Sequence, residues 1–525
     1  MPADSRESRQ KQFKNVGRHE ERRRQRTEGS LELRKQKKDE CMMKRRNIDK
    51  CDDVFDVVDA QGEDSSSLEV LDQKGTDDEL LELRKHVSVL DKQPTREQAL
   101  HRVTEVRRLL SRTRTPPIDK VIEVGLVPLL VRGLQVDDCG IAFESCWALT
   151  NIVSGTSEQT LLVVSAGALP PLVALLYNAD LKVADQAAWA LGNIAGDSAQ
   201  LREKVLVAGA LNGFDHHMKR LSALTVEQAK TMAWVFSNLC RHKDPQVDIG
   251  VIDRIIPHIV TLLHHPDDNV HVDSCWALSY VTDGSDDQIQ LVLDSGVLRV
   301  VTAFLSSNQA KLVAPALRTL GNVVTGNDEQ TQAVIETGLL CSVLPQLIES
   351  SSGQVLKECM WMLSNIVAGT TAQIQAVAEA GLWPYVIAAL DKDAKTQLEA
   401  SWTVANVCQG GTPDQIKLLI TCDVLSPVCR HLNNRNPKFV HNMLDTVIAC
   451  LQVASDEGKL DDATLYIEEQ GGLDKIEELQ QHENEGIYQK AIHIIETFFS
   501  SEENKENFNP QDLQDMEAPS ERFQF

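Results

Sequence analysis

No apolar signal core opens the chain, for Met1 to Lys50 is polar throughout, and no secretory leader is expected there. Among twelve cysteines there is no C-x-x-C pair. Zinc-site spacing and a disulfide framework are therefore lacking, and the thiols read as reduced, intracellular residues inside apolar helical patterns. The uncharged stretch Leu161–Ala179 approaches the ~20 residues of a membrane helix. It contains Gly167, Pro170 and Pro171 and recurs in weaker form, so it reads as a turn between helices. No nucleophile–base pairing, phosphate loop or metal cluster stands out, so neither a catalytic residue nor a metal or cofactor is expected. The tandem pairs His216-His217 and His264-His265 read as surface residues beside helix ends.

Charge is present in quantity and unevenly placed. The 525 residues have room for three or four ordinary domains or one long repeat array. With 42% hydrophobic residues there is ample material for a buried core. Net charge is −24, yet residues 1–50 hold 17 Lys+Arg against 9 Asp+Glu. The pattern is a basic arm on an acidic body. Such a body argues against nucleic acid as a direct ligand, because phosphate contacts need Lys and Arg, and favours basic partners. In the arm, Arg22-Arg23-Arg24, Arg26, Arg34-Lys35, Lys37-Lys38 and Lys44-Arg45-Arg46 punctuate a segment expected to be helical over 20–43. A nucleic-acid or targeting patch is the other reading of that run.

Self-similarity decides the architecture. W-A-L-T-N begins at Trp147, W-A-L-G-N at Trp189, W-V-F-S-N at Trp234 and W-A-L-S-Y at Trp276. The series continues at Arg318, Trp361 and Trp402, with spacings of 41–45 residues. A glycine marker keeps step at Gly125, Gly167, Gly209, Gly296, Gly338 and Gly381, and another at Gly155, Gly284, Gly326, Gly369 and Gly410. This period matches armadillo or HEAT-type helical repeats. Within one unit, 158–165 and 170–176 are expected as short helices and 182–196 as a long third helix. Val183, Ala187, Ala190, Leu191 and Ile194 form its core stripe. Asp185, Trp189 and Asn193 form a second stripe. About ten repeats fill 77–500, after a basic arm (1–50) and an acidic flexible linker (51–76), and before a disordered acidic tail (501–525).

Stacking such repeats makes a row of indoles and a row of amides. An Asn amide offers donor and acceptor, which suits the backbone of an extended peptide. Slots between indoles accept long aliphatic stems. Glu144, Asp273, Glu358 and Glu399 stand three residues before the Trp position, and Asp197, Asp283 and Asp328 follow helix ends. An apolar wall with an acidic floor suits Lys and Arg. A lone Trp at helical spacing reads as core; six in one phase, offset from the aliphatic stripe, read as a surface.

The K-R-R-N-I run at Lys44–Ile48, the W-x-x-x-N ladder interrupted at Tyr280 and Arg318, S-G-T-S-E-Q-T at Ser154–Thr160, G-N-I-A-G-D at Gly192–Asp197 and G-G-L-D-K-I-E from Gly471 together resemble the importin-α (karyopherin-α) family. The resemblance implies an all-α, right-handed superhelical solenoid of armadillo repeats. It also implies a non-enzymatic nuclear import adaptor that shuttles between cytoplasm and nucleus. A major signal-peptide site is implied at Trp147, Asn151, Gly155, Thr160, Asp185, Trp189, Asn193, Asp197, Trp234, Asn238 and Asp273. A minor site is implied at Arg318, Asn322, Glu358, Trp361, Asn365, Glu399, Trp402 and Asn406. Implied partners are importin-β on the arm, cargo with basic nuclear localization signals in the groove, and a CAS-type export receptor with Ran-GTP at the last repeats, with no membrane. Lys44, Arg45 and Arg46 resemble the ligand of their own body, so the arm is expected to be autoinhibitory. Two departures stand out: Asp185 where the family usually has Glu, and Lys230-Thr231 where Arg-Asn is common. The rival readings are a catenin-type armadillo scaffold, whose groove is basic, and a HEAT-repeat regulatory subunit, which leaves the arm unexplained.

Overall fold

The computed structural model describes residues 44–46, 84–92, 94–112 and 116–499. The expected arm helix, the linker and the acidic tail lie outside the described residues. All regular elements among the described residues are helical. The chain divides into two compact units, Met1–Gly326 and Asn327–Phe525.

One repeat shows how the sequence builds the pattern. A short helix, Ser157–Ser165, opens on a capping box: the Thr156 side chain accepts from the Gln159 N–H, and the Gln159 side chain accepts from the Thr156 N–H. Gly167 ends it at φ +85°, a left-handed conformation that glycine adopts at no steric cost. The second helix, Leu169–Leu175, carries proline in its first turn. The two helices meet at 83°, so Leu161–Ala179 is a helical corner. No single helix among the described residues is long and apolar enough to cross a membrane. The third helix, Leu181–Asp197, is capped by the Asp180 side chain. Val183, Ala187, Ala190, Leu191 and Ile194 on it are all buried, which seats the aliphatic stripe in the core.

The long third helix recurs ten times among the described residues. In the first unit these are α1 (Arg96–Leu110), α2 (Cys139–Val153), α3 (Leu181–Asp197), α4 (Val226–Arg241), α5 (Asp268–Thr282) and α6 (Ala310–Val323). In the second they are α7 (Gly353–Ile366), α8 (Ala394–Gly410), α9 (Pro437–Asp456) and α10 (Glu485–Ile494). Within each unit every such helix packs on the next, so a given phase of the repeat lands on one continuous face.

Two readings need correction. His217 is not at the surface: it is fully buried, and burial pushes its imidazole down to about 4. The glycine that keeps the cap phase in the eighth repeat is Gly411 rather than Gly410. The longer α8 ends at Gly410, and Gly411 stands before the Thr412 cap and its Gln415 partner.

Candidate peptide-binding groove

The asparagine row is anchored before it meets any ligand. Asn151 Nδ2 donates to Leu110 O at 3.2 Å, Asn193 Nδ2 to Thr150 O at 3.2 Å and Asn238 Nδ2 to Gly192 O at 3.0 Å. Asn322 donates to Ser279 O at 2.8 Å and Asn406 to Ser364 O at 2.9 Å. Each acceptor precedes the Asn-phase residue of the previous repeat by one position. The amides therefore tie consecutive third helices together while the carbonyl end of the side chain remains for the groove. The sequence reading assigned the whole amide to the ligand and missed this inter-repeat bond.

The short basic segment 44–46 lies on this row. The Lys44 ammonium donates to Gly155 O at 2.9 Å and to Thr160 Oγ1 at 2.8 Å, and it forms an ion pair with Asp197. Three donors thus meet three acceptors. Gly155 follows the C-terminus of α2 and Asp197 ends α3, so the partial negative charge of two helix ends adds to the carboxylate. Ser157 Oγ donates to Asp197 Oδ1 at 3.0 Å and fixes that carboxylate. A Cβ at 155 would sit 1.9 Å from Gln159 Oε1, so a larger residue there would displace the capping-box glutamine.

Arg45 is held by backbone and side chain together. Its N–H donates to Asn193 Oδ1 at 2.8 Å, and its carbonyl accepts from Asn193 Nδ2 at 3.0 Å and from Trp189 Nε1 at 2.8 Å. The guanidinium lies 5.0 Å from the Trp234 ring centroid. It donates to both Asp273 oxygens, at 2.9 and 3.1 Å. Burial lowers the Arg46 guanidinium from its ordinary value. The structure thus brings Gly155, Thr160, Trp189, Asn193, Asp197, Trp234 and Asp273 around one basic dipeptide.

Other expected residues are used differently. Glu144 accepts from Arg107 Nε at 2.7 Å, and the Arg107 guanidinium lies 4.3 Å from the Trp147 ring centroid. Asp185 is shut from solvent at Oδ1. Burial pushes its carboxyl up to about 7, against the opposing effect of a Thr231 hydrogen bond and with further upward push from Glu227. The two departures are therefore one compensated pair: a shorter acid meets a short hydroxyl. Lys230 is bonded to Glu227 at 2.9 Å. Tyr280 stacks on Trp276 at 6.3 Å, and Arg318 is buried.

In the second unit, Glu358 and Trp361 are buried, and Gln354 donates to Glu358 Oε1 at 2.6 Å. Asn365 donates to the Trp361 carbonyl of its own helix at 3.0 Å. Glu399, Trp402 and Asn406 sit on α8 at the expected spacing and are part-exposed.

The family described as "Importin beta binding domain" matches residues 9–100. The "Armadillo/beta-catenin-like repeat" matches 114–154, 156–196, 243–283 and 285–325, and the "Atypical Arm repeat" matches 461–512. Importin subunit alpha-2 of Caenorhabditis elegans is 42% identical over 514 residues, covering 95% of each chain. Importin subunit alpha-3 of Arabidopsis thaliana is 36% identical over 533 residues, covering 100% of this chain and 97% of its own. The crystal structure of an engineered protein matches with a TM-score of 0.70 at 25% identity, covering 80% of this chain and 99% of that one.

Proposed function

This chain belongs to the importin-α family, and from that premise we propose that it is a nuclear import adaptor whose Trp/Asn groove takes basic nuclear localization signals and whose own Lys44-Arg45-Arg46 competes for that groove. The arm, matched by the importin-β-binding pattern, takes importin-β. The adaptor shuttles between cytoplasm and nucleus, and its last repeats contact a CAS-type export receptor with Ran-GTP. It carries cargo and catalyses nothing. The catenin-type scaffold is set aside, because the groove around Arg45 is acidic.

The observation that carries this reading is the threefold coordination of the Lys44 ammonium by Gly155, Thr160 and Asp197. A lysine presents three donors and no acceptor, and this pocket presents acceptors alone. Next to it, Asn193 grips the backbone of Arg45 without reference to side-chain identity. Side-chain selection falls to Asp197, Trp234 and Asp273. An indole–cation contact contributes roughly 0.5–2 kcal/mol. A cargo peptide of like sequence makes the same bonds, so arm and cargo exclude one another. A random-coil tether of about 30 residues would span roughly 30 Å and would give an effective concentration near ~1 mM. A mimic of ~10 μM intrinsic affinity then weakens cargo binding about 100-fold.

Equilibrium titration of one labelled signal peptide tests this. Full-length protein and the Lys44→Ala, Arg45→Ala, Arg46→Ala triple variant are compared, each with and without importin-β. The triple variant is expected to bind one to two orders of magnitude tighter, and importin-β is expected to raise the native chain to the same level. Equal dissociation constants would remove the autoinhibition. Absence of basic-peptide binding in all four conditions would remove the adaptor reading itself.

A further inference from the structure

The floor of the lysine pocket is tied to the repeat behind it. Asp197, whose side chain is only 4% exposed, ends α3, and the carbonyls in the last turn of a helix have no partner inside it. One of them, Gly196 O, takes a hydrogen bond from His242 Nε2 at 3.1 Å. A carbonyl only accepts, so the neutral ring carries its proton on Nε2. That carbonyl and the Asp197 N–H belong to one planar peptide unit, and the bond therefore sets the plane from which the Asp197 side chain departs. The imidazole is itself held. His242 follows α4, and its own carbonyl accepts from Arg202 Nη1 at 2.5 Å, while Pro245 O accepts from Arg202 Nη2 at 2.7 Å. Arg202 is fully buried. It stands on the short helix Ala199–Val207, whose cap, Ser198, directly follows Asp197. Chain and bonds thus close a circuit through Asp197, Ser198, Arg202, His242 and Gly196.

We propose that His242 is a positioning residue of the lysine pocket: its imidazole, seated by Arg202, fixes the end of α3 and aims the Asp197 carboxylate at the ligand's ammonium. This rests on the groove reading above and extends the pocket to the loop after α4. Charge matters as well as shape. Burial lowers the His242 pKa from its ordinary value, against the opposing effect of the Gly196 bond; Arg241 and Arg202 act in the same direction as burial, and Asp197 opposes them. These charged groups face the ring from α4, from the short helix and from α3. Arg202 is paired with Glu203 at 2.8 Å, and Lys243 with Asp283 at the end of α5. The ring is therefore neutral at pH 7.5. Below the usual histidine range of ~6.5 it gains a proton and with it a positive charge beside the carboxylate that receives the ligand's lysine. The Nε2–H still bonds Gly196, but the new cation repels the ammonium and competes with it for Asp197.

The experiment titrates the full chain with two labelled peptides. One copies residues 42–49, and the other has norleucine in the place of Lys44, which keeps the stem and removes the ammonium. The ratio of their affinities within one protein measures the lysine pocket, and competition from the arm cancels in it. At pH 7.5, His242→Ala should lower that ratio about three- to tenfold, the effect of one hydrogen bond. His242→Gln, whose amide nitrogen can take the place of Nε2, should restore it. Between pH 7.5 and 5.5 the native ratio should fall several-fold, whereas that of His242→Gln should stay level. Asp185 titrates in both chains, so the difference between their slopes reads residue 242. An unchanged ratio in folded His242→Ala, no restoration in His242→Gln, or equal pH slopes in the native and His242→Gln chains would overturn the proposal. Should His242→Ala fail to fold, the pH slopes decide alone. A native ratio of one would instead overturn the groove reading on which this one stands.

Discussion

At the scale of single residues, Asp185 carries a testable charge. An unfolded aspartate titrates near ~3.9, whereas burial holds the folded carboxyl near about 7. The folded state therefore keeps a proton that the unfolded state gives up. The associated stability is complete below about pH 4 and is lost as pH rises through about 7. Asp185→Asn should flatten that slope and raise stability above pH 7 by roughly 2–4 kcal/mol, read from urea unfolding at a series of pH values. A slope identical to the native one would show that Asp185 is not the titrating group. The sequence exposed Asp185 and Thr231 as two separate departures. Their partnership was not legible, because it joins α3 to α4 across a packed interface that no local period encodes. Arg107 was hidden for the same reason: its partners Trp147 and Glu144 lie in the next repeat. Trp189 and Asn193 were legible because a surface stripe must repeat in the phase of the helix that carries it.

At the scale of the element, the cap before each short first helix links stability to binding. Gln159 closes the box on Thr156 and sends its Nε2 to Asp119 Oδ1 of the preceding repeat at 2.6 Å. Gly155→Ala would push a Cβ to 1.9 Å from Gln159 Oε1 and expel that side chain. The cost should be about 1–3 kcal/mol, with weaker basic-peptide binding because the Gly155 carbonyl moves with the cap. Gln159→Ala clears the space, so Gly155→Ala added to it should cost much less than in the native background. A thermal-melting double-mutant cycle reads the difference, and strict additivity would dissociate Gly155 from the cap. Helix boundaries were legible to within a residue or two in the worked repeat, since caps, prolines and glycines mark them locally. The eighth repeat defeated the count because α8 runs on to Gly410 and the period shifts by one.

At the scale of the whole molecule, the proposal of a second acidic site in the other unit predicts graded loss. Asp197→Lys replaces the carboxylate that pairs with Lys44 by a repelling cation. Binding of single-cluster signals should fall by at least two orders of magnitude. Bipartite signals should retain measurable affinity through the second unit, where Glu358 and Glu399 stand three residues before Trp361 and Trp402. Fluorescence titration of both peptide classes decides it, and equal losses would refute two separate sites. The native interactions should weaken as ionic strength rises, because the Lys44 and Arg45 contacts are largely ionic. The repeat number and the acidic body were readable from period and composition. The division at Gly326–Asn327 was not, since the Trp/Asn phase runs through it without a break in spacing.

The amide row has a mechanical consequence. Asn193 uses the same side chain to bolt α3 to Thr150 on α2 and to grip the backbone of the segment in the groove. Bolt and grip share one rigid group, so the distance between successive grips is the distance between successive bolts. The row is a ruler whose graduations are cut by the stacking of the helices behind it. An extended chain laid along it advances by a fixed step of about 3.3 Å per residue, and it engages where the two scales coincide. Flexing the first unit would stretch one scale against the other, so a seated peptide resists that flexing as a splint resists bending.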